Sequence, residues 1–157
     1  MKPVHWLISI LFTIIILSSF GCNRSELQGT QTDRGLSLTL EDIMFATGKA
    51  ALMPGAMKTT DAIADFLKKN PKRNLLIEGF TDSTGSVQFN IKLSQQRADA
   101  VRDALVSKGV ANGIITTKGY GEQFPAASNA TPAGRQKNRR VEIIILDEGV
   151  KAESKMR

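Results

Sequence analysis

The sequence has one cysteine and one histidine among 157 residues, and both, Cys22 and His5, stand near its start. A chain processed at Cys22 would contain no histidine, and its only thiol would be its first residue. That excludes histidine acid–base catalysis, a cysteine nucleophile in the folded part, an internal disulfide and a Cys/His zinc site. Aromatic residues make up 6% of the chain, with one Trp and one Tyr. A basic surface interleaved with aromatic residues, the usual footprint of a nucleic-acid binder, is therefore missing. The net charge of +6 is scattered, apart from Lys68, Lys69, Lys72 and Arg73 and the basic residues between 135 and 140. Such a surface tolerates an anionic polymer or a membrane, but nucleic acid is not an expected partner. Neither a glycine-rich phosphate loop nor an internal repeat is present, and no cofactor is expected.

What is there begins with one long apolar run, residues 6–20. About fifteen residues are short for a membrane span, which needs roughly 20, and suit a secretory signal. Gly21 and Cys22 follow directly. A small residue before a cysteine at the end of such a run resembles a bacterial lipobox, although Ser19 and Phe20 depart from its usual residues. The resemblance implies a signal peptide over residues 1–21 and lipidation of Cys22, and multiple acylation anchors stably. Ordinary cleavage or an uncleaved anchor are the alternatives. Asn23, rather than aspartate, follows the cysteine, which favours the outer membrane. Residues 22–35 read as the lipidated cysteine and a polar tether; the thirteen residues from 23 to 35 reach ~45 Å at most.

The remaining ~120 residues suffice for one ordinary core. Residues 36–40 alternate apolar and polar, as a half-buried strand does. Pro54 opens a helix whose inner face carries Met57, Thr60, Ile63, Ala64, Phe66 and Leu67, and Asn70-Pro71 ends it. Leu75-Leu76-Ile77 begins a buried strand, and residues 90–105 form a long helix with Leu93, Ala100/Val101 and Ala104/Leu105 on one face. Residues 114–119 and 141–146 are two further strands, the last apolar enough to be central. Between them lies a long irregular segment, residues 121–137, of a length that is usually functional. Residues 148–157 are a charged tail. The order β-α-β-α-β-loop-β predicts an α+β fold, a two-layer sandwich in which a mixed four-stranded sheet carries two main helices on one face.

Two residues stand out within this frame. Asp82 lies on the loop after the strand that begins at Leu75, and Arg97 lies on the apolar stripe of the next helix, four residues from both Leu93 and Val101. A charge on that stripe is costly unless answered. Together the two could hold a zwitterion, Asp82 taking an ammonium and Arg97 a carboxylate. Alternatively, Asp82 caps its loop and Arg97 extends its guanidinium to water. Glu78 and Asp82, four residues apart, could also form the carboxylate pair of a wall hydrolase.

The stretch Thr81-Asp82-Ser83-Thr84-Gly85, with Asn90, Leu93-Ser94, Arg97-Ala98 and Val101, resembles the signature of the OmpA C-terminal-like domain. The likeness continues through Gly119-Tyr120-Gly121-Glu122, Pro125, Asn129, Thr131, Gly134-Arg135 and Asn138-Arg139-Arg140-Val141-Glu142, and covers about residues 36–147. It implies a non-enzymatic domain that binds peptidoglycan in the bacterial periplasm through the diaminopimelate of the stem peptide. By this resemblance Asp82 and Arg97 grip the amino-acid head group, while Thr84, Asn90, Gly48 and Arg139 or Arg140 line the site. Where many members have aspartate this chain has Ala46. The expected protein is an outer-membrane lipoprotein that tethers membrane to wall, with further envelope proteins as possible partners. A signal-anchored, stator-like wall binder and a protein-interaction module using residues 121–137 are the alternatives.

Overall fold

The structure, a computed structural model, describes Leu27, residues 29–41, Met44, Phe45 and residues 49–152. The expected signal peptide, Cys22, Ala46, Gly48 and the last five residues of the tail lie outside the described residues.

Three elements of the helix-bearing layer follow directly from sequence pattern. Helix α1, Pro54–Lys69, starts with proline in its first turn and buries Ala56, Thr60, Ile63, Ala64 and Leu67. Lys68 and Lys69 sit in its last turn, where cations complement the helix dipole. Strand β3, Leu75–Phe80, is buried at every position, which is why it opens on an apolar run, Leu75-Leu76-Ile77, and why Glu78 within it needs a partner. Helix α2 spans Val87–Ser107, three residues earlier than periodicity predicts, because the Ser86 hydroxyl accepts from the Phe89 amide and caps it.

The sheet has five strands among the described residues, not four. Strand β1, Thr30–Thr32, lies within the expected tether and pairs antiparallel with β2, Gly35–Glu41. After α2, a 3-10 turn at Asn112–Ile114 leads into β4, Ile115–Gly119, and the chain closes with β5, Arg140–Leu146. The order across the sheet is β1-β2-β5-β3-β4, with β3 and β4 parallel and the other neighbours antiparallel. The central place of β5 agrees with its apolar content.

Alternation along the strands sends Leu38, Leu40, Leu75, Ile77, Val141, Ile143 and Ile145 into one core with Ile63 and Leu67 of α1 and Ala98, Val101 and Leu105 of α2. The second face of the sheet holds a smaller cluster, Leu76, Ile144 and Leu146, against which Val150 and Ala152 pack. The first part of the expected free tail therefore folds back onto the sheet. The same face carries a charged pair: Arg34, from the β1–β2 turn, meets Glu78 with both terminal nitrogens at 3.3 and 3.1 Å. Tyr120 also donates its hydroxyl to Glu78.

The stripe that α2 buries is shifted from the expected one. It runs Asn90, Ser94, Arg97, Ala98, Val101 and Leu105, with Leu93 only partly covered. Its first half is polar because the helix there lies directly on glycines. A side chain at Gly79 would come within 2.1 Å of the Ser94 carbonyl, and one at Gly119 within 2.4 Å of the Gln95 amide. This contact carries Asn90 and Arg97 to the C-terminal end of β3.

Candidate binding site

The loop after β3 is built around Asp82. Its carboxylate accepts from the Thr84 amide at 2.8 Å, a local turn that aspartate favours. The Thr81 amide donates to the Gly121 carbonyl, which ties this loop to the segment after β4. Gly85, with φ +97°, gives the left-handed residue needed to turn into the Ser86 cap.

Four of the expected residues meet here. Asn90 donates to the Asp82 carbonyl at 3.3 Å and to the Glu122 carboxylate at 3.0 Å. Arg139 donates to the second carboxylate oxygen of Asp82 at 2.7 Å. With Thr84 these form one connected group. Arg140 goes elsewhere, because Arg139 is the C-cap of the short helix before it while Arg140 is the first residue of β5. It pairs with Glu142 and lies 4.0 Å over the Phe80 ring, on the second face of the sheet.

Arg97 is 2% exposed. Its Nε donates to the Lys49 carbonyl at 3.2 Å, and its guanidinium carbon stands 5.1 Å from the centre of the Phe45 ring. It therefore does not extend to water. It lies seven residues after Asn90, two turns on the same helix face, and helical side chains lean toward the N-terminus. Its guanidinium is thus displaced toward the Asn90 end of the helix.

Sequence reasoning gave no site role to Glu122, Asn129 or Asn138. Asn138 is fully buried and bonds both the amide and the carbonyl of Ala127, as well as the Asn129 side chain. Asn129 in turn accepts from the Ser83 amide at 3.3 Å. The long segment is therefore ordered against the Asp82 loop. It also contains a third helix, α3, Pro132–Asn138, capped by the Thr131 hydroxyl. A threonine before a proline is a start signal legible in sequence.

Glu78, the alternative partner of Asp82, has its own arginine and points its carboxylate to Arg34 and Tyr120. The two carboxylates thus serve separate ion pairs on separate parts of the fold.

Burial raises the pKa of the Asp82 carboxyl, but the Arg139 hydrogen bond and charge, with the Thr84 amide and hydroxyl, outweigh it and hold the group below its ordinary value. The ion pair thus adds stability above the unfolded carboxyl's pKa and loses it as pH falls through the depressed value. Arg139→Gln removes the principal lowering influence. The Asp82 titration, followed by carboxyl-carbon NMR, is expected to move to higher pH. An unmoved titration would show that Arg139 does not govern this carboxylate.

The OmpA family model matches residues 44–139. The peptidoglycan-binding protein ArfA of Mycobacterium tuberculosis is 50% identical over 103 residues, 66% of this chain and 32% of that protein. The probable lipoprotein YiaD of Escherichia coli is 43% identical over 104 residues, 66% of this chain and 48% of that protein. The chain thus spans less than half the length of these relatives. The crystal structure of the peptidoglycan-associated lipoprotein from Burkholderia pseudomallei superposes with a TM-score of 0.63 at 29% identity, covering 68% of this chain and 87% of that one. The matched span runs from the loop that answers Arg97 to the arginine that meets Asp82, and on it the chain belongs to the OmpA family.

Proposed function

We propose that this protein binds peptidoglycan without cleaving it, through the zwitterionic head group of diaminopimelate, while a lipid on Cys22 holds it to the outer membrane with the domain facing the periplasm. The observation that carries the reading is the Asp82–Arg139 ion pair on a loop bonded to Asn90, with buried Arg97 two turns on along the same face of α2. A zwitterion can insert into such a pair. Its ammonium replaces Arg139 on Asp82, and its carboxylate takes the released guanidinium together with Arg97. No charge is left unanswered at any of these groups. An ammonium or a carboxylate alone would strand one partner, which is the basis of selectivity. Thr84 and Asn90 hold the aspartate in place. Two of the relatives' names support peptidoglycan as the polymer bound, and two support a lipid anchor.

Charge-assisted bonds of ~1.5–3 kcal/mol each leave modest affinity once association costs are met. A membrane anchor compensates, because it holds the domain beside a polymer with many copies of the ligand. The leash is shorter than the tether read from sequence. With β1 in the sheet, the chain from Cys22 to Thr30 reaches about 28 Å at most.

The test is co-sedimentation of the full chain, purified in detergent, on diaminopimelate-type cell wall. Sedimentation is expected to be reversed by free diaminopimelate but not by Nα-acetyl-lysine amide, which offers an ammonium without the carboxylate. Asp82→Ala is expected to weaken it more than tenfold, with the fold intact by circular dichroism. Undiminished sedimentation of that variant, or release by Nα-acetyl-lysine amide, would overturn the clamp. Incorporation of labelled fatty acid that Cys22→Ala abolishes checks the anchor.

A further inference from the structure

A groove of about 490 Å³ runs along the outer side of α2 beside β4, the edge strand of the sheet. Gln88, Ile91, Lys92, Gln95, Gln96 and Lys118 line it. The zwitterion clamp does not use any of these residues, but the groove starts at its border. Ile91 follows Asn90, whose side chain bonds the Asp82 carbonyl. Across from it, Gly121 lies so close that a side chain there would come within 3.0 Å of the Ile91 amide. Gly121 in turn accepts from Thr81 of the Asp82 loop.

The chemistry of the lining is one-sided. No carboxylate is among the lining residues, and two are lysines. Among the described residues neither Lys92 nor Lys118 has an ion-pair partner, in contrast with Arg34, Arg73, Arg102, Lys108, Arg139 and Arg140, each of which has one. Gln95 is committed, to Asp99, Thr117 and the Gly119 amide. Gln88 and Gln96 are exposed and present amides that match peptide groups. Ile91 is 42% exposed and Val87, one turn earlier on the same side, 49%. These two side chains give the groove an apolar border beside its lysines and glutamines.

We propose that this groove is a second subsite, and that it takes the acidic peptide segment preceding diaminopimelate in the wall stem. In that segment a γ-linked glutamate keeps its α-carboxylate free. Lys92 and Lys118 meet that carboxylate, the exposed glutamines meet the peptide groups, and Ile91 and Val87 cover the apolar stem of the residue. The assignment rests on the clamp reading, since the head group at Asp82 sets the register of the peptide. The pairs are solvent-exposed, so their contribution is small and sensitive to salt.

The experiment uses the full chain in detergent and three soluble probes: free diaminopimelate, the tripeptide alanyl-γ-glutamyl-diaminopimelate, and that tripeptide with the glutamate α-carboxylate amidated. The acidic tripeptide is expected to bind about fivefold tighter than the amidated one at low ionic strength, with the advantage fading as salt rises. The Lys92→Gln/Lys118→Gln double variant is expected to abolish the difference while leaving free diaminopimelate binding unchanged. Equal binding of the two tripeptides to the unmodified chain would overturn the groove and leave the clamp standing. The same holds if the double variant keeps the full difference. Failure of all three probes to bind would overturn the clamp, and the groove with it. The comparison of the tripeptides needs no variant, so a folding defect cannot obscure it.

Discussion

Replacing Arg97 with methionine is expected to lower affinity for diaminopimelate by about 100-fold while leaving the fold within about 2 kcal/mol of the parent. The two effects separate because they draw on different terms. A guanidinium that grips a carboxylate with two charge-assisted bonds supplies ~3–6 kcal/mol, and a loss of ~2.7 kcal/mol already gives 100-fold. In the unliganded fold the same group is a buried charge, which the chain must desolvate. Its neighbours are the Lys49 carbonyl and the Phe45 face. Methionine keeps much of the volume and removes the charge, at the cost of a donor to Lys49. Arg97→Lys keeps the charge and loses the planar fork, so it is expected to bind at an intermediate level. Titration calorimetry with diaminopimelate and denaturant unfolding give the two numbers. Unchanged affinity in the methionine variant would make Arg97 a packing residue.

Gly79→Ala is expected to destabilise the domain by about 3 kcal/mol or more. The added carbon would lie 2.1 Å from the Ser94 carbonyl oxygen and 2.8 Å from its carbon. These are backbone atoms in the middle of α2, so no side chain can swing aside, and the helix must lift from β3. Because Asn90 and Arg97 sit one turn to either side of Ser94, wall binding is expected to fall with stability. Gly113→Ala provides the control. It lies in the 3-10 turn with nothing within 4 Å of the added carbon, and is expected to be nearly neutral. Denaturant midpoints for the two variants decide the matter, and equal midpoints would refute the close-contact account.

The order of the main elements was legible because each followed a local rule. Pro54 opened α1, the apolar run at residue 75 marked a strand buried on both faces, and β5 had the composition of a central strand. The site was legible through one long motif, which placed Asp82, Thr84 and Asn90 on the loop and helix where the structure has them. What escaped was either short or non-local. The three residues of β1 carry no alternation, and their pairing is fixed by the turn at Arg34 and its reach to Glu78, 44 residues away. The start of α2 depended on the Ser86 hydroxyl rather than on periodicity, and α3 on Thr131. The choice between Arg139 and Arg140 depended on where α3 ends and β5 begins, with Arg139 at the helix cap and Arg140 in the strand, and no spacing rule shows that.

The placement of the β1–β2 hairpin has a mechanical consequence. Asp82 follows the end of β3 that pairs with Arg140, and Arg140 also faces Glu41 at the end of β2. The turn into β2, at Gly35, pairs instead with Leu146 at the opposite end of the sheet. A ligand at Asp82 would act at one end of strands about 20 Å long, and a pull on the N-terminal segment enters toward the other, at Thr30 opposite Ser37, two residues in from Gly35. Tension between them runs parallel to β2, β5 and β3 and loads their antiparallel hydrogen bonds in shear. Many bonds then share the force at once, instead of opening one after another from an edge. On the proposed function, the ligand is therefore expected to let go under strain before the sheet does.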